Sequence, residues 1–261
     1  MIDLKGHAAL VTGSSKGVGK AIAEAFAQAG ADVLIHGRER SGDADETIAR
    51  CRSFGVRCEF VGADLTGPVE TTVDALTAES LRLIPKLDIL VNNAGQFFDV
   101  KFDDMTLDRF ERTITLNVTA PYFLTQRFAR HWIARTIAGR VLMIGSINGR
   151  LAEPGSTAYD TSKGALEMMV KTLAVALAAK NIRVNGLAPG LVRTQQTSWI
   201  NTRPQQAQWI AYHTPNGQIP AAEVCGPGAV YLCSDAAAHV TGQMLLIDGG
   251  MSAWQQPPAP K

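Results

Sequence analysis

The chain is poor in the features that would place it outside the ordinary globular proteins. Its 261 residues carry 25 Lys and Arg against 24 Asp and Glu, a formal net charge of +1. Such a balance provides no global field for nucleic acid or an anionic membrane. No uninterrupted apolar run is long enough to span a bilayer, and the first residues, Met1-Ile2-Asp3-Leu4-Lys5-Gly6, lack the basic, apolar and small-residue succession of a signal peptide. A cytoplasmic protein is expected. Cysteine is scarce: Cys51, Cys58, Cys225 and Cys233 form no C-x-x-C pair, and reduced thiols are expected, although Cys51 and Cys58 could be neighbours. The five histidines are scattered and form no H-E-x-x-H motif, so no catalytic metal is expected. No repeat or low-complexity block divides the chain, so residues 1–261 read as one domain.

What is present is an alternation. Short apolar, strand-like runs at 8–11, 32–35, 57–61, 89–91, 140–144, 183–187 and 244–247 are separated by segments with apolar residues at helical spacing, such as 18–29 and 166–178. Continuous apolar strands joined by helical crossovers predict a parallel sheet covered on both faces, an α/β doubly wound fold of about seven strands. A long helical pattern over 106–134 is expected to break at Pro121. The pattern over 157–180 is apolar around most of its circumference, so it must be buried on more than one side. A homo-oligomer, dimer or tetramer, accounts for the second side; cover by a loop of the same chain is the alternative. Residues 194–223 interrupt the alternation with Trp199, Arg203, Trp209 and His213 and read as a substrate loop, or else as a surface excursion with two small helices. The tail 254–261, ending Gln-Gln-Pro-Pro-Ala-Pro-Lys, is expected to be flexible.

Two patterns carry chemistry. Thr12-Gly13-Ser14-Ser15-Lys16-Gly17-Val18-Gly19 follows the first strand and opens the first helix. Glycines let backbone approach a phosphate, and helix N-terminal amides attract it. At the end of the second strand Gly37 stands where an acid would hold the ribose of NAD, followed by Arg38. Arg38 and Lys16 together favour NADP(H), with NAD(H) use left open because Arg38 could instead stack on adenine or point to water. Farther on, Tyr159 and Lys163 lie one helical turn apart, and Ser146 ends an apolar run upstream. Residues four apart share a helix face, and a fixed positive charge lowers the pKa of a nearby phenol. A tyrosine so placed can exchange protons near neutral pH.

With these residues in order, the chain resembles the short-chain dehydrogenase/reductase family in its one-domain form, over essentially its whole length. The matching residues are Thr12-Gly13-x-x-x-Gly17-x-Gly19, Asp64-Leu65, Asn92-Asn93-Ala94-Gly95, Asn117, Ser146, Tyr159-x-x-x-Lys163 and Pro189-Gly190 with Thr194. The resemblance implies hydride transfer between NADP(H) and a small carbonyl/alcohol substrate. Tyr159 would be the general acid/base, Ser146 would orient the carbonyl, Lys163 would lower the Tyr159 pKa and bind ribose, and Asn117 would hold a water near Lys163. It further implies a cofactor surface of Gly13, Ser15, Lys16, Gly17, Val18, Gly19, Arg38, Asp64, Leu65, Asn92, Ala94, Gly95, Tyr159, Lys163, Pro189, Gly190, Val192 and Thr194. Asp64 has a second reading, as a cap before Thr66-Gly67-Pro68, and both can hold. A non-catalytic dinucleotide-binding sensor is the competing class; it would not need Ser146, Tyr159 and Lys163. Within the enzyme reading, 3-oxoacyl carrier-protein reduction and sugar or polyol oxidation are both open. Arg150, Arg193 and Arg203 are the basic residues available to an acyl carrier.

Overall fold

A computed structural model describes residues 2–195 and 197–254, apart from the side chain of Trp199; residues 255–261 of the expected flexible tail lie outside the described residues. Seven strands form one sheet: β1 (Ala8–Val11), β2 (Asp32–Gly37), β3 (Cys58–Gly62), β4 (Ile89–Asn92), β5 (Gly139–Ile144), β6 (Ile182–Pro189) and β7 (Met244–Ile247). Every pairing is parallel, in the order β3-β2-β1-β4-β5-β6-β7. The order reverses between β1 and β4, which opens a crevice at the carboxyl ends of those strands.

Eight α-helices lie among the described residues: α1 (Gly17–Gln28), α2 (Gly42–Arg52), α3 (Val69–Leu83), α4 (Leu107–Ile114), α5 (Ala120–Arg135), α6 (Thr157–Leu177), α7 (Pro204–His213) and α8 (Cys225–Cys233). They bury the sheet from both sides, which is why β1, β4 and β5 are buried at every residue. Ile22, Phe26, Ile48 and Val230 pack on one face with Val33 and Ile35. Val73, Leu76, Phe128, Trp132 and Val170 cover the other with Leu34 and Leu90. Cys51 and Cys58 are both buried in the first layer, side by side as free thiols, and their mutual hydrogen bond and burial raise the Cys51 pKa.

Pro121 does not break the long helix. It sits in the first turn of α5, where a missing N–H costs nothing. The irregularity falls one turn earlier, as a π-helical stretch over Thr115–Thr119 that joins α4 to α5 without a gap. Residues 194–223 hold a 3₁₀ turn at Ser198–Asn201, α7, and a 3₁₀ turn at Ala222–Val224. No residue of α7 is buried, in contrast to α8.

The amino edge of the sheet is fastened by charge. Arg140 is 8% exposed. Its Nη1 donates to Asp88 at 2.7 Å and its Nη2 to Asp235 at 2.6 Å. Asp88 also receives the Ala8 amide at 2.9 Å and stands 2.6 Å from the His7 ring. The guanidinium holds the Asp235 carboxyl below its ordinary range. Removing one partner from such a cluster strands a buried charge, at a cost of about 3–5 kcal/mol. Arg140→Met is therefore expected to lower the urea midpoint by an amount equivalent to roughly 3–5 kcal/mol with the m-value unchanged. A loss below about 1 kcal/mol would show the cluster to be dispensable.

Candidate active site

The loops leaving β1, β4, β5 and β6 converge at the carboxyl edge. Thr12 organises the first two. Its hydroxyl donates to Val91 O at 3.2 Å and accepts from the amides of Asn93 at 2.9 Å and Ala94 at 3.0 Å. The Asn93 amide group donates to Thr12 O at 2.8 Å and Gly13 O at 3.0 Å. Gly13 and Gly17 have φ of +63° and +61°, the left-handed region that glycine tolerates. At Gly19 a β-carbon would collide with the Asn93 side chain and the Gly13 carbonyl. At Gly13 it would come within 3.0 Å of Ala94 Cα. The glycines thus let the β1 turn lie against the β4 turn.

The turn delivers the chain into α1, whose N-cap, Lys16, makes no side-chain capping bond and whose first turn holds no acid. The leading amides of α1 are a site for an anion. Lys16 and Arg38 are both exposed beside it, at the turn and just beyond β2. The Ser15 carbonyl accepts from Thr47 at 3.2 Å, and its hydroxyl packs closely on Gly37. Val18 faces inward, against Ala21, Val192 and Ala222. Thr194 lies over the turn: its methyl carbon would be 3.7 Å from a β-carbon on Gly17. Pro189 ends β6, and Gly190 runs so close to Asp248 that a β-carbon would sit 3.0 Å away.

Three residues sit differently from the sequence expectation. Asn92 is the last residue of β4, and its side chain points into the core, donating to Thr125 at 3.0 Å; Asn93 is the one that grips the glycine turn. Leu65 is 5% exposed, packed with Val73 and Leu76 rather than presented to the crevice. Asp64 accepts from the Thr66 amide at 3.0 Å and hydroxyl at 2.7 Å, which holds its carboxyl below the usual range and leaves it exposed. It closes that turn and is not the N-cap of α3, which is Pro68.

Ser146 follows β5 and caps the 3₁₀ turn Ile147–Gly149, accepting from the Asn148 amide at 3.1 Å. Asn148 in turn donates to Asp160 at 2.9 Å, and Asp160 accepts from the Glu153 amide at 2.8 Å. This fixes the approach to α6, from which Tyr159 and Lys163 project one turn apart. The Ser146 hydroxyl faces the Tyr159 phenol, and the Phe97 ring packs edge-on against the Tyr159 ring with centroids 5.3 Å apart. Lys163 Nζ lies 5.4 Å from the Tyr159 ring centroid and donates to Ile144 O at 2.8 Å. Asn117, 1% exposed within the π-helical stretch, bonds both the amide and the carbonyl of Gln96, at 2.9 and 3.0 Å, and donates to Ser162 at 3.0 Å. Its side chain therefore splints the β4 loop to α6 at Ser162, the residue before Lys163.

Electrostatics at this pair depart from the expected acidified phenol. Burial is the largest influence on Tyr159 and raises its pKa to about 12; the Ser146 hydrogen bond pulls it down, and Asp160 and Glu153 push it up. Burial lowers Lys163 to about 8. Desolvation disfavours whichever form is charged, and it is the largest influence on both groups.

A family model described as "Enoyl-(Acyl carrier protein) reductase" matches residues 13–252. The chain is 35% identical over 254 residues to glucose 1-dehydrogenase 2 of Bacillus subtilis (strain 168), covering 97% of each chain. The chain belongs to the short-chain dehydrogenase/reductase family. It is also 34% identical to the 3-oxoacyl-[acyl-carrier-protein] reductase of Aquifex aeolicus (strain VF5), over 96% of this chain and 99% of that one. The solved structure of a gluconate 5-dehydrogenase from Burkholderia cenocepacia J2315, in complex with NADP and tartrate, superposes with a TM-score of 0.91 at 31% identity, covering 97% of this chain and 98% of that one. The family is one of oxidoreductases, and the parallel sheet matches its Rossmann-type fold. Among the described residues no helix is long and apolar enough to cross a membrane.

The site residues expected from the sequence do not include Asn93, His36 or Phe97. Asn93 stands inside the Asn92-Asn93-Ala94-Gly95 match, beside the Asn92 that the expectation favours. Nothing in the sequence marks the ring contact of Phe97 with Tyr159.

The buried ammonium has a consequence for stability. Lys163 has a folded pKa of about 8 against an ordinary 10.5. Below pH 8 both folded and unfolded chains carry the charge, and the folded state bears the full penalty of burying it. From pH 8 to 10.5 the folded state is neutral while the unfolded state still holds the proton, so stability from this group rises with pH across that window. Lys163→Met is expected to melt roughly 3–6 °C above wild type at pH 7 without cofactor, since about 3 kcal/mol of desolvation is relieved and about 1 kcal/mol of hydrogen bonding to Ile144 is lost. The advantage shrinks from pH 8 to 10.5. Thermal melts in which the variant is less stable at pH 7, or gains as pH rises, contradict the assignment.

Proposed function

We propose that this protein interconverts a carbonyl and a secondary alcohol using NADP(H), with Tyr159 as the general acid and base. The observation that carries this reading is the convergence of Ser146, Tyr159 and Lys163 beside a glycine turn whose helix amides are uncapped. The residues suit a dinucleotide. The close approach of Gly13 and Gly19 to the 92–95 turn, and of Gly17 to Thr194, leaves backbone, not side chain, at the glycine turn, and Lys16 and Arg38 are exposed where a 2′-phosphate would need cations. When bound, the nicotinamide supplies or accepts the hydride.

The chain's own residues then have distinct tasks. Ser146 Oγ orients the carbonyl oxygen and helps hold the charge that develops on it. Tyr159 is fully protonated at pH 7 given its pKa of about 12, so it starts reduction as a proton donor. The reverse direction needs the phenolate, and the Lys163 charge 5.4 Å from the ring is placed to stabilise it. Lys163 spends one of its three donors on Ile144 O, which leaves two for ribose hydroxyls. Asn117 keeps the β4 loop and α6 in register through Gln96 and Ser162.

Of the two substrate classes, sugars and polyols have the better support. Arg150, a candidate to meet an acyl carrier, is paired with Glu167 at 2.9–3.1 Å, and Arg193 donates to Ile219 O at 3.1 Å. The carboxylates of Asp160 and Glu153 lie on the phenol side. Residues 194–223 form the substrate loop in this reading, with Trp209 half in solvent and stacked on His213 at 3.8 Å. The protein acts as a homo-oligomer through the outer faces of α5 and α6. Tyr122, Ile133, Leu173 and Leu177 line an apolar groove there, and Val175 is 83% exposed. Light scattering that returns the mass of one chain would remove the oligomer from this account.

Two variants test the chemistry. Tyr159→Phe is expected to reduce turnover by about 10²–10⁴ while cofactor binding persists; retention of the wild-type rate excludes the assignment. Arg38→Glu is expected to weaken NADPH binding by roughly 10–100-fold and leave NADH binding nearly unchanged, as loss of a charge-assisted phosphate contact predicts. Equal effects on the two nucleotides, measured by fluorescence titration, would detach Arg38 from the 2′-phosphate. Turnover assays on aldoses, aldonates and ketoacyl thioesters decide the substrate class.

A further inference from the structure

His36 stands one residue from the end of β2, between the glycine turn and the turn that follows β3. Its ring is 3% exposed. The Gly13 amide donates to His36 Nδ1 at 3.1 Å, so this nitrogen is an acceptor and the proton of the neutral ring is on Nε2. Burial drives the ring pKa down to about 4, which keeps it neutral through the physiological range. Its backbone is tied to the same turn: the His36 amide donates to Ser14 Oγ and its carbonyl accepts the Ser14 amide, each at 3.0 Å. On its other side the ring faces the Ala63 backbone and the Asp64 carboxylate. Nε2 is fully buried, and its only polar neighbour is the Ala63 backbone, at a geometry looser than an ordinary hydrogen bond.

That arrangement is costly as core packing alone. Leu34, two residues earlier on the same strand face, fills its site with an aliphatic side chain and leaves no polar atom unmet. A histidine here leaves a buried donor with only a loosely placed backbone partner, and such a group calls for an explanation. The ring does one thing a leucine cannot. It accepts the amide of Gly13, a residue whose φ of +63° aims that amide inward and turns the following backbone toward the crevice.

We infer that His36 is a positioning residue for the adenosine half of the dinucleotide: through Nδ1 it fixes the Gly13 amide and so sets the glycine turn against the 63–65 turn. The inference rests on the dinucleotide reading above. His36 acts through Gly13 and makes no contact of its own with the reacting atoms, so its signature is a change in affinity with the chemical step preserved.

Three substitutions separate this from bulk packing. His36→Asn keeps an acceptor near the Nδ1 position, His36→Leu keeps volume without an acceptor, and His36→Gln moves the amide outward toward the Nε2 position. Binding of NADPH and of adenosine 2′,5′-bisphosphate is measured by calorimetry, alongside kcat at saturating cofactor. The expected result is a rise in Kd of about 5–10-fold for both ligands in the Leu and Gln variants, within about 2-fold of wild type for Asn, and kcat within about 2-fold throughout. Equal affinities across the series overturn the inference. So does an Asn variant as weak as Leu, which would point to ring volume, or a fall in kcat with Kd unchanged. If the Leu variant does not fold, the comparison of Gln with Asn carries the test. Failure of the wild-type protein itself to bind NADPH or NADH removes the cofactor reading, and His36 positioning with it, an outcome separate from any difference among the variants.

Discussion

One hydroxyl holds the two halves of the crevice together. Thr12 Oγ1 accepts the amides of Asn93 and Ala94 and donates to Val91 O. A hydroxyl has one proton to give and two lone pairs to fill, so this one is saturated. It spans the point where strand order reverses, between β1 and β4. Parallel strands leave all their carboxyl ends on one edge, but nothing in the ladder itself fixes how far apart the outgoing loops run. The Thr12 and Asn93 bonds fix it, and the glycines at 13 and 19 are the consequence, because no β-carbon fits between the two turns they join.

The remaining elements then have little freedom. The β1 turn sets where α1 begins and where its free amides point. The β4 turn carries Gln96, whose backbone pairs with Asn117, and Asn117 in turn reaches Ser162, one residue before Lys163. The π-helical stretch at Thr115–Thr119 turns that asparagine inward at 1% exposure, where a regular helix running into Pro121 would have had to leave its carbonyls unmet. A chain of hydrogen bonds thus runs from the glycine turn to the helix that bears Tyr159 and Lys163.

Much of this was readable from residue order because parallel strands buried on both faces must be apolar throughout, and all seven strand runs were placed to within a few residues. The Tyr159 and Lys163 pairing was readable because helical spacing alone puts them on one face. What escaped was decided by geometry finer than spacing. Asn92 and Asn93 are adjacent and chemically identical, but the pleat sends Asn92 toward Thr125 and frees Asn93 for the glycine turn. Leu65 could not be distinguished from a ligand-facing leucine until α3 was seen to close over it. The bond from Gly13 to the His36 ring has no sequence signature, since an isolated histidine at a strand end reads equally well as a satisfied core residue.

The direction of the Tyr159 shift is the most informative of these differences. Sequence order places a cation near a phenol and so suggests an acidified tyrosine. The folded chain instead buries Lys163 and partly covers Tyr159, and loss of water penalises the phenolate and the ammonium alike. The result is a neutral phenol at about 12 beside an amine at about 8, a pair that at pH 7 is poised to give a proton rather than to take one. The amino edge shows the opposite solution to the same problem. There Arg140 is buried against Asp88 and Asp235, and its charge is answered within the protein. Among the described residues Lys163 pairs with no carboxylate and donates to the Ile144 carbonyl. A charge left unanswered by a carboxylate is one that a ligand can answer.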